Sequence, residues 1–343
     1  MAGKLTKVFA VQKKAIFLFV LLVGIPLADP ILCSPEQAYP KSLTLLFGDS
    51  LNGTIEPCPS CDGGSPLGGL ARRGAWVQSI RETSGQSLLL DSGDLFFDRY
   101  RKAILPENVI TQSEKAHLIL KCYNLLGYDA LGIGDDDLSL GKDFLVDLSK
   151  NASFPFISSN LVDQETGQAL FPTYVIQETG GLRIGIFSLL SPNFFSNESD
   201  SRTKGIALGD PLEVAKSILG IIKPQADLVV LLSHLGYISD IELAEILPGI
   251  DVIVGGHSGR SLSYPMQARD TIIVQVGSKG LHVAELRLQL APDKSSRPDS
   301  TLKAAIPLSP SDKEHPEIAE MVKAYKMKHS PEWFKADGIC PEP

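Results

Sequence analysis

No stretch of this 343-residue chain reaches the ~20 apolar residues that a membrane-crossing helix needs. The longest, from Ala15 to Val23 and on to Ala28, is interrupted by Pro26. Basic charge is not in excess either: 32 Lys and Arg stand against 40 Asp and Glu, for a formal charge of -8. That balance argues against nucleic acid as a partner. No internal repeat is found, which sets repeat arrays aside. Cysteines are few, five in all.

What is present is a 43% hydrophobic composition, enough for a continuous core in one large domain or two small ones. The first residues carry Lys4, Lys7, Lys13 and Lys14, no acid, and then the short apolar stretch. This is the pattern of a signal peptide over residues 1–28 and predicts an exported protein, periplasmic or secreted, with no transmembrane span in the mature chain. Removing those residues takes away four lysines and moves the charge from -8 to -12. A lipid anchor on Cys33 is the rival reading, but Leu32 precedes it where a small residue is the rule. In an oxidising compartment Cys58 and Cys61, spaced as Cys-x-x-Cys, are disulfide or thiol candidates. Thiol redox chemistry there would need a βαβ context, and a Pro- and Gly-rich loop surrounds the pair instead.

Short strand-like runs alternate with helical patterns. Leu43 to Phe47, Ser87 to Leu90, Asp129 to Leu131, Leu182 to Phe187, Asp227 to Leu232 and Asp251 to Val254 read as strands. Leu70 to Ile80, Ser113 to Leu126, Leu212 to Ile222 and Ile241 to Leu247 read as helices, with Ser113 as a cap. The alternation predicts a layered α/β fold. Thr271 to Val276 and Val283 to Leu290, separated by Gly-Ser-Lys-Gly, read as a hairpin. Residues 291–312, rich in Pro, Ser, Lys and Asp, read as an exposed linker, and 313–343 as a terminal helix and tail.

In layered α/β proteins, functional groups gather where strands end. Asp49, Asp91, Asp94, Asp135, Asp136, Asp137, His234 and His257 all fall at such ends. Carboxylates mixed with imidazoles suit a divalent metal. Each alone also has a structural reading: Asp49 as a turn residue, the Asp135 to Asp137 run at a helix start, the histidines as core residues.

Five stretches, in order, carry a resemblance: Leu88-Leu-Leu-Asp-Ser-Gly-Asp94, Gly127-Tyr-Asp-Ala130, Leu231-Leu-Ser-His-Leu-Gly236, Gly255-Gly-His-Ser258 and Val274-Gln-Val-Gly-Ser278. Together they resemble the calcineurin-like metallophosphoesterases, in particular the amino-terminal catalytic domain of the 5'-nucleotidase and 2',3'-cyclic-nucleotide phosphodiesterase group. The resemblance spans residues 40–290. It implies a four-layer α-β-β-α sandwich with two mixed sheets, and a site that hydrolyses phosphate esters with two metal ions.

Carried over position by position, the resemblance makes Asp94 the bridging ligand, with Asp135, His234 and His257 completing the second metal position. At the first position, the family's Asp-x-His reads Asp49-Ser-Leu51, so Asp49 is kept and the histidine is lost. The family's Gly-Asn-His-Glu reads Gly134-Asp-Asp-Asp137, which places Asp136 at the catalytic histidine. Gly259 stands where the family has another His or Gln. One divalent ion per chain is therefore expected, with Zn, Mn, Fe, Mg and Ca not distinguished. Gly53-Thr-Ile-Glu-Pro-Cys-Pro-Ser-Cys61 followed by Gly68-Gly-Leu-Ala-Arg-Arg73 looks like a subgroup of exported bacterial homologues. Arg72 and Arg73 are candidates to hold an anionic substrate, with a solvated helix face as the plain alternative.

The reading that follows is an exported metal-dependent phosphoesterase with a reduced site, acting on a small phosphorylated substrate such as a nucleotide. The alternative is a binding or scaffold protein on the same fold that has lost hydrolysis.

Overall fold

The computed structural model describes residues 41–48, 50–58, 65–98, 103–196, 200–290 and 298–329. The leader, Cys33, Asp49 and Cys61 lie outside the described residues, and with them the signal peptide, the lipid anchor, the Asp49 ligand and the Cys61 thiol.

In chain order the strands are β1 (Lys41–Gly48), β2 (Pro57–Cys58), β3 (Leu67–Gly68), β4 (Ser87–Asp91), β5 (Ala130–Gly132), β6 (Phe156–Ile157), β7 (Leu161–Asp163), β8 (Tyr174–Thr179), β9 (Leu182–Leu190), β10 (Ile206–Leu208), β11 (Leu228–His234), β12 (Val252–Gly255), β13 (Met266–Ala268), β14 (Thr271–Val274), β15 (His282–Leu290) and β16 (Asp299–Pro307). The helices are α1 (Leu70–Thr83), α2 (Val109–Leu126), α3 (Lys142–Ser149), α4 (Pro211–Ile222), α5 (Tyr237–Ile246) and α6 (Pro316–His329). Two six-stranded sheets carry the fold, in the orders β16-β15-β1-β4-β5-β6 and β13-β14-β12-β11-β9-β8. Both are mixed: β1 runs parallel to β4 and antiparallel to β15, and β9 runs parallel to β11 and antiparallel to β8.

The period of two in the strands sorts their side chains into three cores. Leu43, Leu45 and Phe47 of β1 meet Val230, Leu232, Val252 and Val254 between the sheets. Leu46, Leu89 and Leu131 point the other way, against Ala116, Ile119 and Tyr123 of α2 and Ile318 of α6. Val229, Leu231 and Ile253 pack on Ile218, Leu219, Ile222 and Leu243 of α4 and α5. The layering is α-β-β-α.

Three local expectations are corrected. The cap of the second helix is not at Ser113: α2 starts at Val109, behind a 3₁₀ turn at Pro106–Asn108, and Ser113 lies within it. The proposed hairpin does not form. β14 stays beside β12, whereas β15 crosses to the other sheet beside β1, and positive φ at Gly277, Lys279 and Gly280 turns the chain between them. Residues 291–312 are not wholly linker, because Asp299–Pro307 forms β16 and closes the edge beside β15. Beyond it, α6 docks on α1 through Ile318, whose Cδ1 would meet a Cβ at Gly74, so glycine there permits the approach. Among the described residues no helix is long and apolar enough to cross a membrane.

Candidate metal centre

Four loops at the carboxyl ends of β4, β5, β11 and β12 converge on one point. Asp94 follows β4 through Gly93, where φ is 99° and a Cβ would overlap the Gly134 backbone. Only glycine lets these two loops touch. Asp137 seals the contact: its carboxylate accepts the backbone N–H groups of Asp94, Leu95, Phe96 and Gly134 at 2.7–3.1 Å. Burial, and then the Asp94 charge beside it, push Asp137 up to about 7 against the pull of those donors. His234 is the last residue of β11, and His257 follows β12 with φ 62°.

One donor atom each from Asp94, Asp135, His234 and His257 lies within 4.8 Å of the others. His234 Nε2 is 3.1 Å from Asp94 Oδ2 and 3.3 Å from Asp135 Oδ1, and His257 Nδ1 is 3.0 Å from that same Asp135 oxygen. The other ring nitrogen of His234 contacts the Ser92 carbonyl at 2.8 Å. A carbonyl can only accept, so Nδ1 carries a proton and Nε2 is the atom that faces the two carboxylates, where a bound cation would take its lone pair. Nε2 is fully buried and makes no hydrogen bond of acceptable geometry. The arrangement calls for a cation at this point. Burial alone would lower His234, but the carboxylates of Asp94 and Asp135 reverse that and raise it well above its ordinary value. Burial would raise Asp135, and the two histidines outweigh it and hold the carboxyl down. Two carboxylates and two imidazoles are a donor set that fits a divalent ion.

Two neighbours that no motif announced shape this cluster. Arg202, buried, donates to Asp135 Oδ2 at 2.6 Å, Asp136 Oδ1 at 2.9 Å and Asp200 Oδ2 at 2.8 Å. Phe194 stacks on His257, with ring centroids 3.3 Å apart and planes 5° apart, and fixes the imidazole. Both come from the loop after β9, where the sequence shows only a short polar stretch. The sole local signal is Asp200, whose side chain caps the 3₁₀ turn at Ser201–Thr203.

The remaining candidates fall elsewhere. Asp136 is beside the cluster, but its carboxylate is engaged by Arg202, and its backbone N–H donates to Asp94 Oδ1 at 2.9 Å. Arg72 and Arg73 are both buried and engaged within the fold. Arg72 donates to the Pro66 carbonyl at 2.7 Å, and Arg73, 1% exposed, donates to Tyr123 Oη at 3.1 Å, which in turn donates to Asp91. The cause is the tight α1 packing: a Cβ at Gly48 would strike the Arg73 guanidinium. Leu51 is fully buried in the core, and Gly259 has φ 63°, so neither supplies a ligand to a first metal position. Cys58 is disulfide-bonded, and Cys122 is a free buried thiol.

No protein-family model matches the chain. Relatives include a 5'-nucleotidase of Vibrio cholerae, 29% identical over 208 residues, covering 55% of this chain and 36% of that protein. A 2',3'-cyclic-nucleotide 2'-phosphodiesterase/3'-nucleotidase of Yersinia enterocolitica is 29% identical over 212 residues, covering 55% and 32%. The chain thus spans about a third of the length of these curated relatives. Among solved structures, a 5'-nucleotidase precursor from Thermus thermophilus superposes with TM-score 0.70 at 28% identity, covering 84% of this chain and 59% of the other. A calcineurin-like phosphoesterase from Bacillus subtilis shares the fold at TM-score 0.69 and 21% identity, covering 87% of this chain and all of the other. With five motifs in order, four layers and a clustered donor set, the chain belongs to the calcineurin-like metallophosphoesterase superfamily, in the group of the 5'-nucleotidases and 2',3'-cyclic-nucleotide phosphodiesterases.

Proposed function

We propose that this chain is an exported, metal-dependent phosphoesterase with a one-ion site, in which Asp94, Asp135, His234 and His257 hold the ion. The observation that carries the reading is the buried His234 Nε2, without a hydrogen bond and aimed between two carboxylates. A single divalent ion in such a site lowers the pKa of bound water and polarises a phosphoryl oxygen. The chain's own residues orient the donors: the Ser92 carbonyl sets the His234 tautomer, Phe194 holds His257, and Arg202 holds Asp135 by the oxygen that does not face the histidines. Small phosphorylated compounds, nucleotides among them, are the proposed substrate class, since that is what the matched nucleotidases are named for. Export is supported by the lysine-flanked apolar leader and by the Cys58 disulfide, which suits an oxidising compartment.

The second reading, a protein of the same fold that binds but does not hydrolyse, is favoured by Asp136. At the position of the catalytic histidine in the resembling family stands a carboxylate held by a buried guanidinium. Elemental analysis of the purified mature protein, beside turnover of bis(p-nitrophenyl) phosphate and of 5'-mononucleotides, separates the two. About one ion with slow hydrolysis supports the enzyme, and one ion with none at any metal loading supports the binding protein.

A further inference from the structure

Beside the proposed ion site lies a cavity of about 260 Å³, with Asp94 and His257 on one wall and Ser50, Asn52, Ser278 and Lys279 among its other lining residues. The resemblance implies a first metal position beside Asp94, and Leu51 and Gly259 stand where it implies a histidine and a His or Gln. Leu51 points into the core and Gly259 has no side chain. The backbone here is held in costly conformations. Among the described residues five other than glycine have positive φ, and four of them, Asn52, Asp94, His257 and Lys279, line this cavity. Such strain persists where the surroundings over-determine it, and it clusters at functional sites. The surroundings here are Asn52 N–H on the Asp94 carbonyl at 2.8 Å, Lys279 N–H on Asn52 Oδ1 at 3.4 Å, and a backbone bridge from Ser50 to Ser278.

Charge then decides what the cavity can hold. A divalent ion with Asp94 and Asp135 is formally neutral, so a phosphoryl group brought against it needs a further cation. Arg202 is committed to three carboxylates, and Arg73 is buried behind the site against Tyr123. Asp98, the other acid among the described residues that line the cavity, is opposed by the charge of Lys115. Lys279 is exposed and, among the described residues, has no carboxylate within ion-pair distance.

We propose that Lys279 takes the place of the absent first metal, its ammonium holding an oxygen of the substrate's phosphoryl group while Ser50, Asn52 and Ser278 donate hydrogen bonds to the rest of that oxyanion. The proposal rests on the one-ion phosphoesterase reading and assigns its substrate anchor. An ammonium is a compact point charge with three donors, which suits an oxygen-rich anion without fixed ligand geometry.

The test is calorimetric titration of inorganic phosphate into protein loaded with Mn²⁺, in the wild type, Lys279→Asn and Lys279→Arg. Asn tolerates the left-handed backbone, so loss of charge is separated from strain. Expected is a roughly tenfold to hundredfold weaker phosphate affinity in Lys279→Asn, the range for a lost charge-assisted hydrogen bond. Manganese content should be unchanged, and Lys279→Arg should stay within a few fold of the wild type. Equal phosphate affinity in the wild type and Lys279→Asn overturns the proposal, as does loaded wild type that binds no phosphate. Should the wild type take up no metal, the one-ion reading falls by itself, and the titration is repeated on the metal-free protein. Phosphate binding that still depends on Lys279 then sustains the anchor, and its absence overturns it.

Discussion

Arg202 and Asp135, 67 positions apart in the chain, are joined by a 2.6 Å ion pair in which both side chains are almost wholly buried. The same guanidinium holds Asp136, so the two aspartates that replace Asn and His of the resembling family share one counter-charge. Replacing a neutral amide by a second carboxylate at a buried metal site adds a charge that must be offset. Arg202 offsets it, and by taking Asp135 Oδ2 it leaves Oδ1 to the histidines. Arg202→Met strands three buried carboxylates and is expected to cost roughly 3–5 kcal/mol, the range for a broken buried pair. Urea denaturation checks this, and added Mn²⁺ should recover more stability in the variant than in the wild type, because the ion then supplies the missing positive charge.

This relationship was not legible in the sequence, and the reason is physical. His234 and His257 stand at the ends of unbroken apolar strands, where the period of two and the change to polar residues mark the site. Arg202 lies in a loop without periodicity, and its partners are set by the tertiary course of the chain. The layers themselves were readable, because β11 and β12 are near-continuous runs of Leu, Ile and Val, and β1 and β9 are mostly apolar. Strand β16 was not: Asp299–Pro307 is an edge strand with polar residues on its open face, and its composition resembles a linker. The separation of β14 from β15 was hidden for another reason, since a short glycine-containing turn joins strands of two sheets as readily in pattern as strands of one.

Metal ligation separates His234 and His257 from ordinary core histidines. In the wild type, thermal stability should rise with added Mn²⁺, by about 2.7 kcal/mol at a hundredfold excess over Kd. His234→Ala should abolish that increment, and His257→Ala should reduce it. His234 is expected to be the more damaging, as its ring is fully buried while His257 stays half-open to solvent. Thermal scans with and without metal provide the measurement, and an increment unchanged in both variants leaves packing as their role.

A pH dependence follows from Asp240, which lies behind the site. It is fully buried, accepts a hydrogen bond from the Ser233 hydroxyl through Oδ1, and has no partner at Oδ2. Burial pushes its carboxyl up to about 7 from an ordinary value of 3.8. The folded state therefore holds this proton more tightly than the unfolded chain, so the contribution to stability is complete below about pH 4 and is lost as pH rises through about 7. Asp240→Asn removes the titration. Its stability relative to the wild type should increase from pH 4 to 7 and level off above, whatever its absolute value. Denaturant midpoints across that range test it, and a difference that is flat with pH rejects the assignment.

The last prediction concerns what the altered motif costs in rate. Asp136 occupies the place of the family histidine, and simply writing the histidine back is expected to fail. Arg202 Nη1 lies 2.9 Å from Asp136 Oδ1. An imidazole introduced there would face a buried guanidinium, which disfavours its protonated form and so its use as an acid. The change should therefore be coupled to Arg202. Asp136→His alone is expected to lose stability and gain no turnover, whereas Asp136→His with Arg202→Gln should lose less than the sum of the two single changes, because the Asp136–Arg202 pair is then lost once rather than twice, although Asp135 and Asp200 still lose their partner. General acid assistance is typically worth ~10² to 10⁴ in rate, so even partial recovery in the double variant would be visible with bis(p-nitrophenyl) phosphate. Rebuilding the first metal position is harder. Leu51→His would bury a polar ring in an apolar core, and Gly259→His would force a side chain onto φ 63°. The double variant at positions 136 and 202 is thus the cleaner test. If it folds, retains its ion and still hydrolyses nothing above the wild-type rate, a missing proton donor is not what limits this site, and the binding reading gains the ground that the enzyme reading loses.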